Sequence, residues 1–150
     1  METIIRKYTE ADKPLLLELI QLNTPQYFSL SETEDFVLYL DKYREEYFVI
    51  EYENKICGCG GINVEPNLQM AKLSWDMVHP NYHGLGIGTL LTQFRINHIK
   101  QMQDIKTIIV RTSQVAYKFY EKFGFTKIDY QKNYWAPGFD LYTMELILKK

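Results

Sequence analysis

Apolar positions recur along this chain in short blocks, some alternating with polar residues and some repeating every three to four positions. The resulting order is β-α-α-β-β-β-α-β-α-β-β. Residues 3–9 read as a strand. Over 12–22, Leu15, Leu16, Leu19 and Leu22 form an inward helical stripe with Pro14 in the first turn, and Asn23-Thr24-Pro25 ends it. A second helix over 31–43 opens on Ser31-Glu32-Thr33-Glu34, the Ser-x-x-Glu spacing that lets two side chains cap exposed N–H groups reciprocally. Residues 47–52 and 56–64 make a hairpin around Glu53-Asn54-Lys55, followed by a strand over 69–78. Ile87, Leu90, Leu91 and Phe94 then fall at i, i+3, i+4 and i+7 and give a third helix its buried stripe. A strand over 107–112, a helix opened by Ser113 and closed by Gly124, and strands over 126–134 and 141–148 complete the order.

The join between the 69–78 strand and the third helix carries the first chemical signal. There His83-Gly84-Leu85-Gly86-Ile87-Gly88 alternates glycine with other residues. Glycine tolerates positive φ, so such a loop can turn consecutive N–H groups toward one point, where the helix N-terminus adds positive potential. A pyrophosphate is the natural guest. A Walker loop is disfavoured, because Thr89-Leu90 follows Gly88 where lysine and Ser/Thr would be needed. A dinucleotide fingerprint is disfavoured too, because the spacing is G-x-G-x-G and the loop lies mid-chain.

About 30 residues on, Ser113-Gln114-Val115-Ala116-Tyr117-Lys118-Phe119-Tyr120-Glu121-Lys122-Phe123-Gly124-Phe125 places Ala116, Phe119, Tyr120 and Phe123 at helical spacing. Together the two segments resemble the GNAT superfamily of acyl-CoA-dependent N-acetyltransferases. The family's loop motif, Gln/Arg-x-x-Gly-x-Gly/Ala, is matched by residues 83–88 except that His83 stands first. Its later motif, Asn-x-x-Ala-x-x-Phe/Leu-Tyr-x-Lys-x-Gly-Phe, is matched by residues 113–125 except that Ser113 replaces Asn. The resemblance spans essentially the whole chain, and residues 1–150 are expected to form a single N-acetyltransferase domain.

The resemblance implies an α+β, three-layer fold: a mixed, mostly antiparallel sheet flanked by helices, whose fourth and fifth strands splay apart so that pantetheine inserts between them. Acetyl-CoA is then the acyl donor. It would be held by the backbone of Met77 and Val78, by residues 83–89 (His83, Gly84, Leu85, Gly86, Ile87, Gly88 and Thr89) and by Ser113. Tyr120 reads from spacing alone as a core tyrosine. The resemblance makes it the general acid that protonates the departing thiolate, a sensible role for a phenol of pKa about 10. The acceptor pocket is implied to draw on Tyr27, Phe28, Trp75, Tyr134 and Trp135, an aromatic set suited to an ammonium or an apolar side chain. The fifth strand, Ile108-Ile109-Val110-Arg111, lacks the Glu that ribosomal-protein N-terminal acetyltransferases carry as base.

Deprotonating an alkylammonium of pKa about 10.4 at pH 7 costs about 4.6 kcal/mol, against about 1.4 for an α-amino group near 8. Asp76, a carboxylate on an otherwise apolar strand segment, is the candidate to take that proton, to attract a cationic acceptor or to satisfy a bulge. His79 and His98 read as structural residues. The expected activity is acetyl transfer from acetyl-CoA to a primary amine, on a small molecule or a peptide, by direct attack in a ternary complex without metal. The alternatives are a non-catalytic acyl-CoA-binding module and a peptide N-terminal acetyltransferase.

Composition narrows the partners. With 46% hydrophobic and 24% charged residues the chain is globular in type, and a formal net charge of −2 removes the electrostatic footprint of a nucleic-acid binder. The opening residues do not read as a signal sequence and no apolar run is long enough for a membrane span, so a cytoplasmic protein is expected. Cys57 and Cys59, the only cysteines, sit two apart on one strand, where a mutual disulfide would be strained. They are expected to be reduced. A homodimer is compatible with all of this.

Overall fold

The computed structural model describes residues 2–149. Its first hairpin is set by the Glu53-Asn54 turn, where both residues take positive φ (51° and 67°), the twist that lets a two-residue loop join right-handed strands. That turn joins β2 (Glu46–Tyr52) to β3 (Lys55–Glu65), and β1 (Thr3–Lys7) pairs antiparallel with β2. β4 (Met70–Val78) runs antiparallel to β3 and parallel to β5 (Thr107–Thr112). β7 (Phe139–Ile147) inserts between β5 and β6 (Thr126–Ala136), which gives one seven-stranded sheet ordered β1-β2-β3-β4-β5-β7-β6. The α+β class and the sheet type expected from sequence are present.

Alternation along the strands feeds two cores. Phe48, Ile50 and Leu73 face one side of the sheet and pack with Ile87, Leu91, Ile96 and Ile99 of α3 (Ile87–Lys100). Tyr47, Val49 and Cys59 face the other side and pack with Leu16, Leu19 and Ile20 of α1 (Lys13–Leu22) and Phe36 of α2 (Glu32–Leu38). Each fully buried aliphatic side chain contributes about 1.5–3 kcal/mol. The last short helix, α4 (Tyr117–Glu121), lies on the α3 side, with Tyr120 buried in that core. Among the described residues, no helix is long and apolar enough to cross a membrane.

Some details depart from the sequence reading. The buried face of α1 is Leu16, Leu19, Ile20 and then Asn23, while Leu15 and Leu22 are exposed, because the sheet meets the helix one position away from the leucine-rich stripe. On α3, Leu90 is exposed and the fully buried Arg95 takes a core position. Ser31 does not cap α2, its own backbone being already helical. The reciprocal pair is Ser29 and Glu32: the Ser29 N–H donates to the Glu32 carboxylate (2.7 Å) and the Glu32 N–H to the Ser29 carbonyl (3.0 Å). The chain stays helical through residue 43, but its last turn, Tyr39–Tyr43, is π-helical.

Candidate active site

β4 and β5 pair only from Met70–Thr107 to Leu73–Val110. Beyond that point β4 stays with β3 and β5 stays with β7, so the two strands part and leave a gap between them. A bulge on β4 causes the turn away. Cys59 faces Met77 and Gly61 faces Ser74, so Trp75 and Asp76 together oppose the single residue Gly60. Trp75 takes φ +51°, an unfavourable conformation for a bulky side chain, and its carbonyl accepts the Tyr47 hydroxyl at 2.7 Å. The His79 N–H donates to the Cys57 carbonyl (2.7 Å). By the alternation of an antiparallel ladder, the backbone groups of Met77 then face β3, and those of Val78 face the gap. Of the two residues expected to pair with a donor, Val78 turns its polar groups toward the gap and Met77 toward β3.

The glycine loop closes one end of this gap. Gly84 and Gly86 have φ of +84° and +79°, and a Cβ at either would meet nothing within 4 Å. The first bond of α3 runs from the Leu90 N–H to the Gly86 carbonyl, so the helix offers Ile87, Gly88 and Thr89 no acceptors of its own for their N–H groups. Three such donors at the N-terminus of a 14-residue helix, beside open space, fit a phosphate group. Gly88 is different: its φ is not positive, and a Cβ there would make only ordinary contact, 3.4 Å from the Phe119 ring and 3.5 Å from Val78. His83 turns back, with Nε2 on the Val78 carbonyl and its ring edge-on to Tyr27. Ser113 uses its hydroxyl to accept the Val115 N–H (3.3 Å), capping the turn that leads into α4.

Asp76 and Tyr120 meet. The Tyr120 hydroxyl donates to Asp76 Oδ2 (2.5 Å), and Asp76 also accepts both ends of the Arg95 guanidinium, from Nη1 at 2.5 Å and Nη2 at 2.7 Å. These three donors take three of the carboxylate's roughly four lone-pair sites, both on Oδ2 and one on Oδ1, so the carboxylate serves chiefly Arg95 and Tyr120. Burial pushes the Tyr120 phenol well above its ordinary value, with the Asp76 charge adding to the rise and Arg95 opposing it. The phenol therefore keeps its proton at neutral pH. Arg95 is the residue at this site that the sequence pattern did not mark. It sits on the i, i+4, i+8 line Ile87, Leu91, Arg95, and the available sign was Gly60-Gly61 inside a strand, where glycine marks a close approach. A Cβ on Gly60 would stand 2.8 Å from Arg95 Nη1.

A cleft of about 890 Å³ runs from the glycine loop past these residues. Of the aromatic residues expected at the acceptor pocket, Tyr27, Phe28, Trp75 and Trp135 line this cleft. Phe28 stacks on Trp75 at 6.1 Å between ring centroids, and the Trp135 indole donates to the Thr112 carbonyl. Tyr134 lies outside the lining. It is exposed on the last hairpin, where it packs edge-on against Trp135 beneath the Arg111 guanidinium.

Cys57 and Cys59 are free and on opposite faces, because Cys57 is itself a bulge residue between the Ile50–Gly58 and Glu51–Ile56 pairs. Burial pushes the Cys57 thiol up to about 11 and the Cys59 thiol to about 12, so neither is a thiolate nucleophile at neutral pH. His79 Nδ1 accepts the Asn81 N–H, and His98 Nε2 lies 3.1 Å from Glu46. The first contact lies within one turn, and the second joins α3 to β2.

A strand gap thus lies beside a glycine-turned helix N-terminus, with a buried tyrosine further along the same cleft. Residues 43–127 match the family described as acetyltransferase (GNAT) domain, and the chain belongs to that family of acetyltransferases. It is 25% identical over 153 residues to an N-alpha-acetyltransferase of Sulfurisphaera tokodaii, covering 92% of this chain and 87% of that protein. The fold is similar to the crystal structure of the ribosomal-protein-S18-alanine N-acetyltransferase from Escherichia coli, with TM-score 0.81, 19% identity and coverage of 99% of this chain and 96% of that one. It is also similar to an aminoglycoside 6'-N-acetyltransferase complexed with coenzyme A, with TM-score 0.77, 16% identity and 98% coverage of each chain.

Proposed function

We propose that this chain, acting as a single domain, transfers an acetyl group from acetyl-CoA to a primary amine by direct attack within a ternary complex, and that the amine is an α-amino group. The observation that carries the reading is the gap between β4 and β5, which adjoins three helix N-terminal N–H groups at one end and reaches Tyr120 along the cleft. The loop and the first turn of α3 would hold the donor's phosphates, and the Val78 backbone would pair with its arm. Tyr120 would return a proton to the departing thiolate. The buried, protonated cysteines favour direct transfer over an acyl-cysteine route.

The choice of amine follows from Asp76. With that carboxylate committed to Arg95 and Tyr120, the acceptor that sheds its proton most cheaply is favoured, at about 1.4 kcal/mol for an α-amino group against about 4.6 for an alkylamine. The relative named as an N-alpha-acetyltransferase supports the same choice. An acetyl-CoA turnover screen across amino acids, short peptides with free N-termini, polyamines and aminoglycosides tests it. Turnover of amino acids or peptides is expected. Turnover confined to polyamines or aminoglycosides overturns the α-amino assignment, and donor binding without turnover of any acceptor leaves only a binding module.

A further inference from the structure

A fully buried arginine inside an amphipathic helix is costly unless every charge around it is answered, so its presence in the α3 core calls for a reason. Arg95 is answered almost completely. Nε donates to the Leu91 carbonyl (3.3 Å), Nη1 to the Gly61 carbonyl (3.0 Å) and to Asp76, and Nη2 to Asp76. A well-packed aliphatic residue would fill the same core without this network. What it would not do is hold Asp76 at the β4 bulge and offset its charge beside Tyr120.

We propose that Arg95 is a positioning residue for acyl transfer: its guanidinium fixes the Trp75–Asp76 bulge that opens the strand gap, and supplies the countercharge that lets Tyr120 act as a proton donor next to Asp76. The inference rests on the general-acid reading of Tyr120. When the phenol gives its proton to a thiolate, the phenolate stands 2.5 Å from a carboxylate. Phenolate and carboxylate together carry two negative charges, and Arg95 brings the cluster to a net charge of −1. Without it, proton donation builds two like charges in a buried site, which opposes the transfer. The geometry assigns the second function as well. Trp75 at φ +51° is held from one side by the Tyr47 hydroxyl and from the other by the Arg95–Asp76 fork, and Gly60 leaves the space that the fork fills. Because α3 begins at the phosphate-facing loop, one helix links donor binding to the bulge and to the acid.

A double-mutant cycle tests this, with Arg95→Met, Tyr120→Phe and the double variant assayed on acetyl-CoA and a short peptide with a free α-amino terminus. Arg95→Met is expected to weaken acetyl-CoA binding at least threefold by loosening the bulge, to lower kcat at saturating acetyl-CoA at least 10-fold, and to lower that kcat by less than threefold in the Tyr120→Phe background. Equal losses in both backgrounds overturn the proposal, since Arg95 would then act on the fold and not through Tyr120. If Tyr120→Phe keeps full kcat, the general-acid reading fails, and the proposal with it. A readout without acceptor separates the two cases and covers the chance that Arg95→Met fails to fold. In tyrosinate absorbance titrations, Asp76→Asn leaves Arg95 alone beside the phenol and is expected to shift one tyrosine step to lower pH than in the unaltered protein. Asp76→Asn with Tyr120→Phe should lose that step, and Asp76→Asn with Arg95→Gln, which removes the charge but keeps hydrogen-bonding groups, should shift it upward. A step unmoved by Arg95→Gln overturns the countercharge role.

Discussion

Nε2 of His83 lies 3.0 Å from the carbonyl oxygen of Val78, the residue whose backbone faces the gap between β4 and β5. The carbonyl can only accept, so Nε2 carries the proton in this contact. His83 thus ties the glycine loop to the strand end that is expected to pair with the donor, and its ring rests edge-on against Tyr27 across the cleft. His83→Ala should weaken acetyl-CoA binding by about 2–10-fold, the worth of one partly exposed hydrogen bond, and His83→Gln, which keeps a donor, should lose less. Calorimetric titration checks both, and a tighter-binding Ala variant would mean that His83 competes with the donor.

Gly86 precedes α3 with φ +79° and open space around it, so a substitution there strains the backbone without any steric clash inside the protein. Gly86→Val should cost about 1–2 kcal/mol at that residue and weaken acetyl-CoA at least 10-fold by tilting the N–H groups of Ile87, Gly88 and Thr89. Equal affinities by calorimetry would sink the phosphate assignment.

Tyr120→Phe should lower kcat by about 10²–10⁴-fold with little change in donor affinity. Because burial and Asp76 hold the phenol above its ordinary value, no deprotonation of Tyr120 should enter the pH–rate profile below about pH 10. A loss of activity at high pH that vanishes in the Phe variant would contradict this.

Asp76→Asn leaves the buried Arg95 without its anion, a loss expected to cost about 3–5 kcal/mol in chemical denaturation. Its kcat/KM should fall and stay low from pH 6 to 9. Recovery toward the acceptor's own pKa, where free amine becomes abundant, would instead make Asp76 the base.

Acid stability depends on a different pair. Hydrogen bonding to Arg6 holds the Asp12 carboxyl below its ordinary value in the folded chain. The unfolded chain therefore takes up a proton first as pH falls, and the stability from this pair, fully present above about pH 4, is lost as pH drops through the folded value. Asp12→Asn should flatten that limb of the stability–pH curve and cost about 1–2 kcal/mol at pH 7, since Arg6 is partly solvated. Urea unfolding of both proteins between pH 2 and 7 measures the difference.

The order of strands and helices, the glycine loop and the Tyr120 helix were legible in the sequence because each is encoded locally. Alternating apolar residues define a strand, helical spacing defines a helix, and glycine permits the positive φ found at Gly84 and Gly86. Capping was legible only to within a few residues, since Ser29 and Ser31 both stand near Glu32 and the choice depends on where the preceding loop enters. Tyr134 and Trp135 are adjacent aromatics on one hairpin, and only the direction of the strand decides that Trp135 lines the cleft.

What the sequence by itself determined, then, is every feature whose cause lies within a few neighbouring residues. The tertiary structure alone decided the partners of Asp76. Nothing near position 76 announces that its carboxylate will meet Arg95, 19 residues away on a helix, and Tyr120, 44 residues away on another. Those contacts exist because the Trp75–Asp76 bulge turns the side chain toward α3, and Gly60 on the neighbouring strand leaves room for the guanidinium. Charge burial is a property of the assembled layers, and a one-dimensional pattern of polar and apolar residues does not carry it.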